Sequence, residues 1–149
     1  MRLKLNKEFA LRHLGVAALM AALGGWFAYD GYVAYPALDA MEMYAKAHGG
    51  ERAQSVEQAE KYRQNAIPRQ KQFMMLAWTF SAYLLVNLAY LWRKEYDFGG
   101  KITEVDEKDW EKKGILRFKV DGKKIVLDAW HHEGVKELRE KILKNEIGG

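Results

Sequence analysis

Two long apolar blocks and one alternating stretch organise the chain. The first block, LGVAALMAALGGWFAYDGYVAY, runs from Leu14 to Tyr35 and carries no charge before Asp30. As an α-helix its 22 residues reach about 33 Å, enough for a hydrocarbon core of roughly 30 Å. Tyr29, Tyr32 and Tyr35 surround Asp30, an aromatic composition suited to headgroup level, where a carboxylate meets water. The second block, FMMLAWTFSAYLLVNLAYLW, runs from Phe73 to Trp92 without a charge, between Arg69 and Lys71 on one side and Arg93 and Lys94 on the other. It lacks the polar face of a surface helix. Both blocks are predicted to span a membrane as helices, because lipid cannot satisfy exposed backbone groups. The basic start and Ala22-Leu23-Gly24 of the first block also fit a cleaved signal peptide. The apolar run continues past that point and favours a retained span.

Residues 36–71 read as a helical connector. Pro36 sits at a first-turn position, Leu38, Met41, Tyr44 and Ala45 follow at helical spacing, and Gly49-Gly50 supplies a stop. Ser55 is a cap candidate ahead of Val56, Ala59 and Tyr62, and Pro68 permits a new start into the second span. His48, beside two glycines, reads as a helix-end or loop residue.

Beyond the second span the period changes. In ILRFKV, Leu116, Phe118 and Val120 share one face and Arg117 and Lys119 the other, which is strand spacing. Asp121-Gly122 is a tight hairpin turn, and KKIVLDAW is the return strand. Val135, Leu138, Ile142 and Leu143 then make one stripe of a terminal helix. With an earlier strand near Lys101–Val105, residues 95–149 form a small α+β domain. So small a core needs its large side chains. Trp110 and Trp130 are therefore expected to anchor the two ends of the sheet.

Ile102, Val105, Asp106, Trp110, Lys113, Gly114, Ile115, Leu127, Asp128 and Trp130 carry a resemblance to a group of uncharacterised bacterial two-span membrane proteins. Their tails are similar to the small bacterial pleckstrin-homology-like (PH-like) domain, strands followed by a carboxy-terminal helix. The resemblance covers the last third of the chain and the span layout. Only EYDFGG separates the second span from Ile102, so a reduced sheet plus helix is expected here rather than a full barrel.

Charge sharpens the layout. The net charge is +4 and there is no cysteine, so disulfides and thiolate metal sites are excluded. Residues 1–13, a basic arm, carry Arg2, Lys4, Lys7 and Arg12 against Glu8. The tail is nearly neutral, which argues against nucleic acid as a partner. Bases before the first span and after the second favour both termini in the cytoplasm. Within the tail, Lys112, Lys113, Arg117, Lys119, Lys123 and Lys124 lie inside thirteen residues. They are the candidate contact with anionic lipid headgroups or a protein partner. Inside the membrane, Ala17, Ala21 and Gly25, spaced by four, are the candidate small-residue packing face. Asn87 in the second span is expected to face the first span, because an amide in hydrocarbon wants a partner.

Candidate reactive chemistry is thin. Glu104, Asp106, Glu107, Asp109 and Glu111 are dense in carboxylate, yet counting from Asp106 puts Lys108 and Trp110 where a calcium loop needs oxygen ligands. These acids read instead as a turn paired with the neighbouring lysines. Asp128, His131, His132 and Glu133 are adjacent without a chelating i,i+4 pair, and no catalytic set or cofactor motif is present. The chain is thus expected to be a bacterial inner-membrane protein with two transmembrane helices (14–35 and 72–92). They would carry a non-enzymatic PH-like interaction domain that serves as a scaffold or accessory subunit, with a second copy or another membrane protein as partner. An oligomeric pore or transporter subunit is the alternative class, and an enzyme using the Asp128–Glu133 corner the least favoured.

Overall fold

The computed structural model describes residues 1–47 and 53–145. His48, the Gly49-Gly50 stop and the Ser55 side-chain cap lie outside what is described. The chain divides into two compact units: Gly15–Leu84, and Met1–Leu14 together with Leu85–Gly149.

Three helices account for most of the chain. Helix α1 (Lys7–Tyr29) passes through one π-helical turn (Asp30–Ala34) into α2 (Tyr35–Ala47), and α3 runs over Ala53–Arg93. Two of their segments, Lys7–Tyr44 and Val56–Arg93, are long and apolar enough to cross a membrane. The helix start expected at Pro36 is a widening of a continuing helix instead. Pro36 has no N–H and its ring crowds the Tyr32 carbonyl one turn earlier. The helix accommodates it with a π turn, in which the Tyr35 N–H donates to the Asp30 carbonyl. Nor does Pro68 start a new helix: α3 continues through it, at the cost of the hydrogen bond that Gln64 would have received.

In the Gly15–Leu84 unit α1 and α3 run antiparallel along a line of small residues. Ala17, Gly24, Gly31, Ala66, Ala77 and Ser81 are buried. The Ser81 hydroxyl donates to the Ala17 carbonyl at 2.7 Å, and the Trp78 indole N–H donates to the Ala21 carbonyl at 3.1 Å. Between α2 and α3, the Arg63 guanidinium meets Asp39 at 3.1 Å and also pairs with Glu42.

The other unit is the α+β body. Strands β1 (Ile102–Asp106), β2 (Ile115–Val120) and β3 (Lys123–Asp128) form an antiparallel meander in that order. The short helix α4 (Trp110–Lys113) joins β1 to β2, and α5 (Val135–Leu143) follows β3. Asp121 and Gly122 both have positive φ, 48° and 81°, the backbone of a type I′ hairpin that matches strand twist. Between Thr103 and Asp106 the register of β1 on β2 slips, and Glu104 takes φ 53°: one extra residue is absorbed as a bulge. Leu116, Phe118, Val120 and Leu127 pack against Val135, Leu138 and Ile142 of α5.

Residues 1–6 are not a free arm. Arg2 bridges Glu95 and Leu5 bridges His132, each antiparallel. The Tyr96 N–H donates to the Met1 carbonyl and the Glu133 N–H to the Lys4 carbonyl, while the Asn6 N–H donates to His131. The segment is thus chain bridged on both sides, at Arg2 and at Leu5. Leu3, 7% exposed, joins Tyr96 and Phe98 in the sheet core. Asn6 then caps α1 by accepting the Glu8 N–H at 3.0 Å.

Candidate functional site

The acidic stretch distributes its carboxylates over separate partners. Glu104 reaches Lys119 at 2.8 Å, Glu107 reaches Arg139 at 2.7 Å, and Asp109 pairs with Arg117. Asp106 accepts the N–H of Lys108 within its own turn. The neighbouring lysines expected as partners are not the ones used, because β2 and α5 bring Arg117, Lys119 and Arg139 alongside. The bond from Arg117 holds the Asp109 carboxyl below the usual range, and Lys119 does the same for Glu104. Trp110 opens α4 against the sheet core, with the Arg139 guanidinium 5.0 Å from its ring centroid. At the end of α4, Gly114 has φ 67°, and a Cβ there would press within 3.2 Å of Ala129 Cβ, so the turn requires glycine.

The six basic residues grouped in sequence part in space. Arg117 and Lys119 point from the outer face of β2 and are bound to Asp109 and Glu104. Lys112 and Lys113 precede β2, and Lys123 and Lys124 follow its other end, about 20 Å away along a six-residue strand. These four are exposed and form no ion pair among the described residues. The second pair gains company: Lys123 and Lys124 line a cleft of about 290 Å³ with Lys94 and Tyr96. Sequence reasoning missed Lys94 in this setting, because the segment Lys94–Asp97 crosses to β3 only through tertiary structure. At the near edge, Gly100 lies so close to the Asp121 carboxylate that a Cβ would overlap it; that carboxylate accepts the Lys101 N–H at 2.9 Å.

At the corner Asp128–Glu133 the side chains diverge. The His132 ring is 2% exposed and lies 3.0 Å from the Leu91 carbonyl through Nε2. A carbonyl only accepts, so Nε2 carries the hydrogen and the ring caps the last turn of α3. His131 lies 3.7 Å from Asp128 and against the Phe9 ring. Burial pushes the His131 imidazole below its ordinary pKa, against the pull of Asp128 and with the nearby His132, His13 and Lys94. Glu133 turns towards Lys4 at 3.9 Å. Among the described residues no three His, Asp or Glu side chains converge as a metal site would require. Trp130 lies outside the sheet core, edge-on to Phe9 and under Arg12 of α1, so its anchoring is to the helix rather than to a sheet end.

Of the helix-packing candidates, Ala17 is buried and Ala21 lends its carbonyl to Trp78. Gly25 has nothing within 4 Å of where a Cβ would stand, whereas at Gly24 a Cβ would overlap the Trp78 indole. The face thus continues from Ala21 to Gly24, three residues on, as the helical period of 3.6 dictates. Asn87 is half-buried and makes no hydrogen bond among the described residues; Ser81 and Trp78 are the polar links to α1. Comparison of the chain with family models, curated proteins and solved structures returns no match.

Proposed function

We propose that this chain is an integral membrane protein whose helical hairpin anchors a non-enzymatic interaction module, the α+β unit. One observation carries the reading: the apolar surface of the long helices is not covered. Within their most apolar windows 17% and 22% of residues are buried. Leu19, Trp26, Leu76, Tyr83 and Val86 are each more than 60% exposed. A core helix of a soluble protein buries such side chains, gaining about 1.5–3 kcal/mol for each large one; lipid covers them equally well. The three-stranded sheet with its terminal helix supports the reading of the module as a reduced PH-like domain. Bases flanking the spans support a bacterial inner-membrane location with both termini cytoplasmic. The module acts by docking, to the inner leaflet or to a protein held there, through lysines that its own acids leave unpaired. Self-association through the alanine face is not part of this reading, since Ala17, Ala21 and Gly24 are occupied by Ser81 and Trp78. Alkaline carbonate extraction of membranes from expressing bacteria tests the anchor. The chain is expected in the pellet; release into the supernatant would sink the proposal.

A further inference from the structure

We propose that the α+β unit binds one anionic phospholipid, its phosphate in the cleft of Lys94, Lys123 and Lys124 and an acyl chain along the adjoining face of α3. The inference rests on the membrane reading above.

The cleft lies between the segment Lys94–Asp97 and the β2–β3 turn and has a volume of about 290 Å³. Glu95, Asp97 and Asp121 line it too; none pairs with a lysine of the cleft, and Asp97 and Asp121 keep their charge while held by backbone N–H groups. Glu95 pairs with Arg2 at 3.3 Å. Asp97 accepts the Gly99 N–H and Asp121 the Lys101 N–H, both at 2.9 Å. The three lysines form no ion pair among the described residues. Lys94 instead lies 5.6 Å from the Tyr90 ring centroid and 5.2 Å from that of Tyr96, contacts that leave its charge unneutralised. An incoming anion therefore meets three unpaired ammonium groups.

A second, shallow and open concavity follows one side of α3, lined by Val86, Ala89, Tyr90 and Trp92, with Arg93 and Lys94 at its end. Val86, Ala89, Tyr90 and Arg93 fall at i, i+3, i+4 and i+7, one face of the helix. Lys94 lines both concavities. A ligand that uses both has a negative head joined to an apolar tail. A soluble phosphate or an acidic peptide leaves the groove empty, and a zwitterionic lipid brings beside its phosphate a quaternary ammonium that the three lysines repel. An anionic phospholipid answers both, and Lys94 directly follows the last residue of the second apolar helix, where a headgroup lies.

The full chain in mild detergent is titrated with phosphatidylglycerol, phosphatidylcholine or glycerol 3-phosphate, and bound ligand is counted by native mass spectrometry. One phosphatidylglycerol is expected per chain, bound at least tenfold more tightly than phosphatidylcholine. Lys94→Gln should weaken it about fivefold, and adding Lys123→Gln and Lys124→Gln roughly a hundredfold. Lys112→Gln with Lys113→Gln should change nothing. Val86→Trp, which fills the groove, should weaken phosphatidylglycerol binding without altering any response to glycerol 3-phosphate. Circular dichroism checks that each variant folds. If the triple variant does not, Lys94→Gln and Val86→Trp carry the test. Equal affinity for the two lipids would overturn the proposal, as would equal losses from the Lys112/Lys113 control. Competition by glycerol 3-phosphate at lipid concentrations would assign the cleft to a soluble anion instead. Carbonate release of the wild-type chain defeats the membrane reading itself; retention without lipid selectivity defeats only this site.

Discussion

Leu3→Ala is the perturbation that best separates a structural amino-terminal segment from a basic arm. The Leu3 side chain is 7% exposed and packs with Tyr96 and Phe98 in the sheet core. Truncating a buried leucine to alanine costs about 2–5 kcal/mol, more where the surroundings cannot collapse. The chain on either side of Leu3 is tied, to Glu95–Tyr96 and to His131–Glu133, so relaxation into the cavity is limited and about 3 kcal/mol is expected. That is roughly a hundredfold change in the folded-to-unfolded ratio. A core this small rarely supplies more than about 3–5 kcal/mol, so the variant unit would sit near its unfolding midpoint without denaturant. The assay is pulse proteolysis of the full chain in detergent across a urea series, following cleavage within the α+β unit. Arg2→Ala, on an exposed side chain, should shift the midpoint by less than about 0.5 kcal/mol. Leu116→Ala, at a fully buried position, should cost at least as much as Leu3→Ala. If Leu3→Ala matches Arg2→Ala while Leu116→Ala unfolds the unit, residues 1–6 are not part of the core.

Three further outcomes are expected. Gly24→Val should destabilise the hairpin by about 1–3 kcal/mol through overpacking on Trp78, whereas Gly25→Ala should stay within about 0.5 kcal/mol; thermal unfolding of the two variants in one detergent compares them. Arg63→Met leaves the Asp39 and Glu42 carboxylates, 14% and 24% exposed, without their cation. About 2–4 kcal/mol should be lost, and less than 1 kcal/mol in the same thermal measurement would show that water supports those acids. His131 has a depressed folded pKa, so below about 6.5 the unfolded chain takes up a proton that the folded chain refuses. Stability is therefore full above that pH and declines as pH falls through 6.5 towards the folded value. His131→Gln should flatten urea midpoints measured between pH 7.5 and 5.5, and an unchanged slope would contradict this.

The β2–β3 hairpin and α5 were legible because their information is local. The alternation of Leu116, Phe118 and Val120, the Asp121-Gly122 turn and the stripe Val135–Leu138–Ile142 each specify their own geometry within a few residues. Other features depend on partners far away in the chain. Leu3 and Leu5 alternate with Arg2 and Lys4, a strand signal, but over too few residues to stand out beside a helix start. Its neighbours lie 93 and 127 positions further on. The choice of Gly24 over Gly25 follows from the rotational phase of α1, which Trp78 and Ser81 set. His132 is a cap for a helix whose carbonyl lies 41 residues earlier, and no spacing rule links the two. The carboxylates of Ile102–Ile115 were read as paired with adjacent lysines, yet their partners came from β2 and α5.

The central claim, a membrane hairpin with both termini on one side, is tested most directly by single-cysteine accessibility. The chain contains no cysteine, so Gln58→Cys in the connector and Lys123→Cys in the α+β unit each report without background. Both native side chains are exposed. In intact cells whose outer membrane has been made porous, an impermeant maleimide should label Gln58→Cys. Lys123→Cys should be labelled only after the inner membrane is opened. Labelling of both positions before opening, or of neither, would contradict the account.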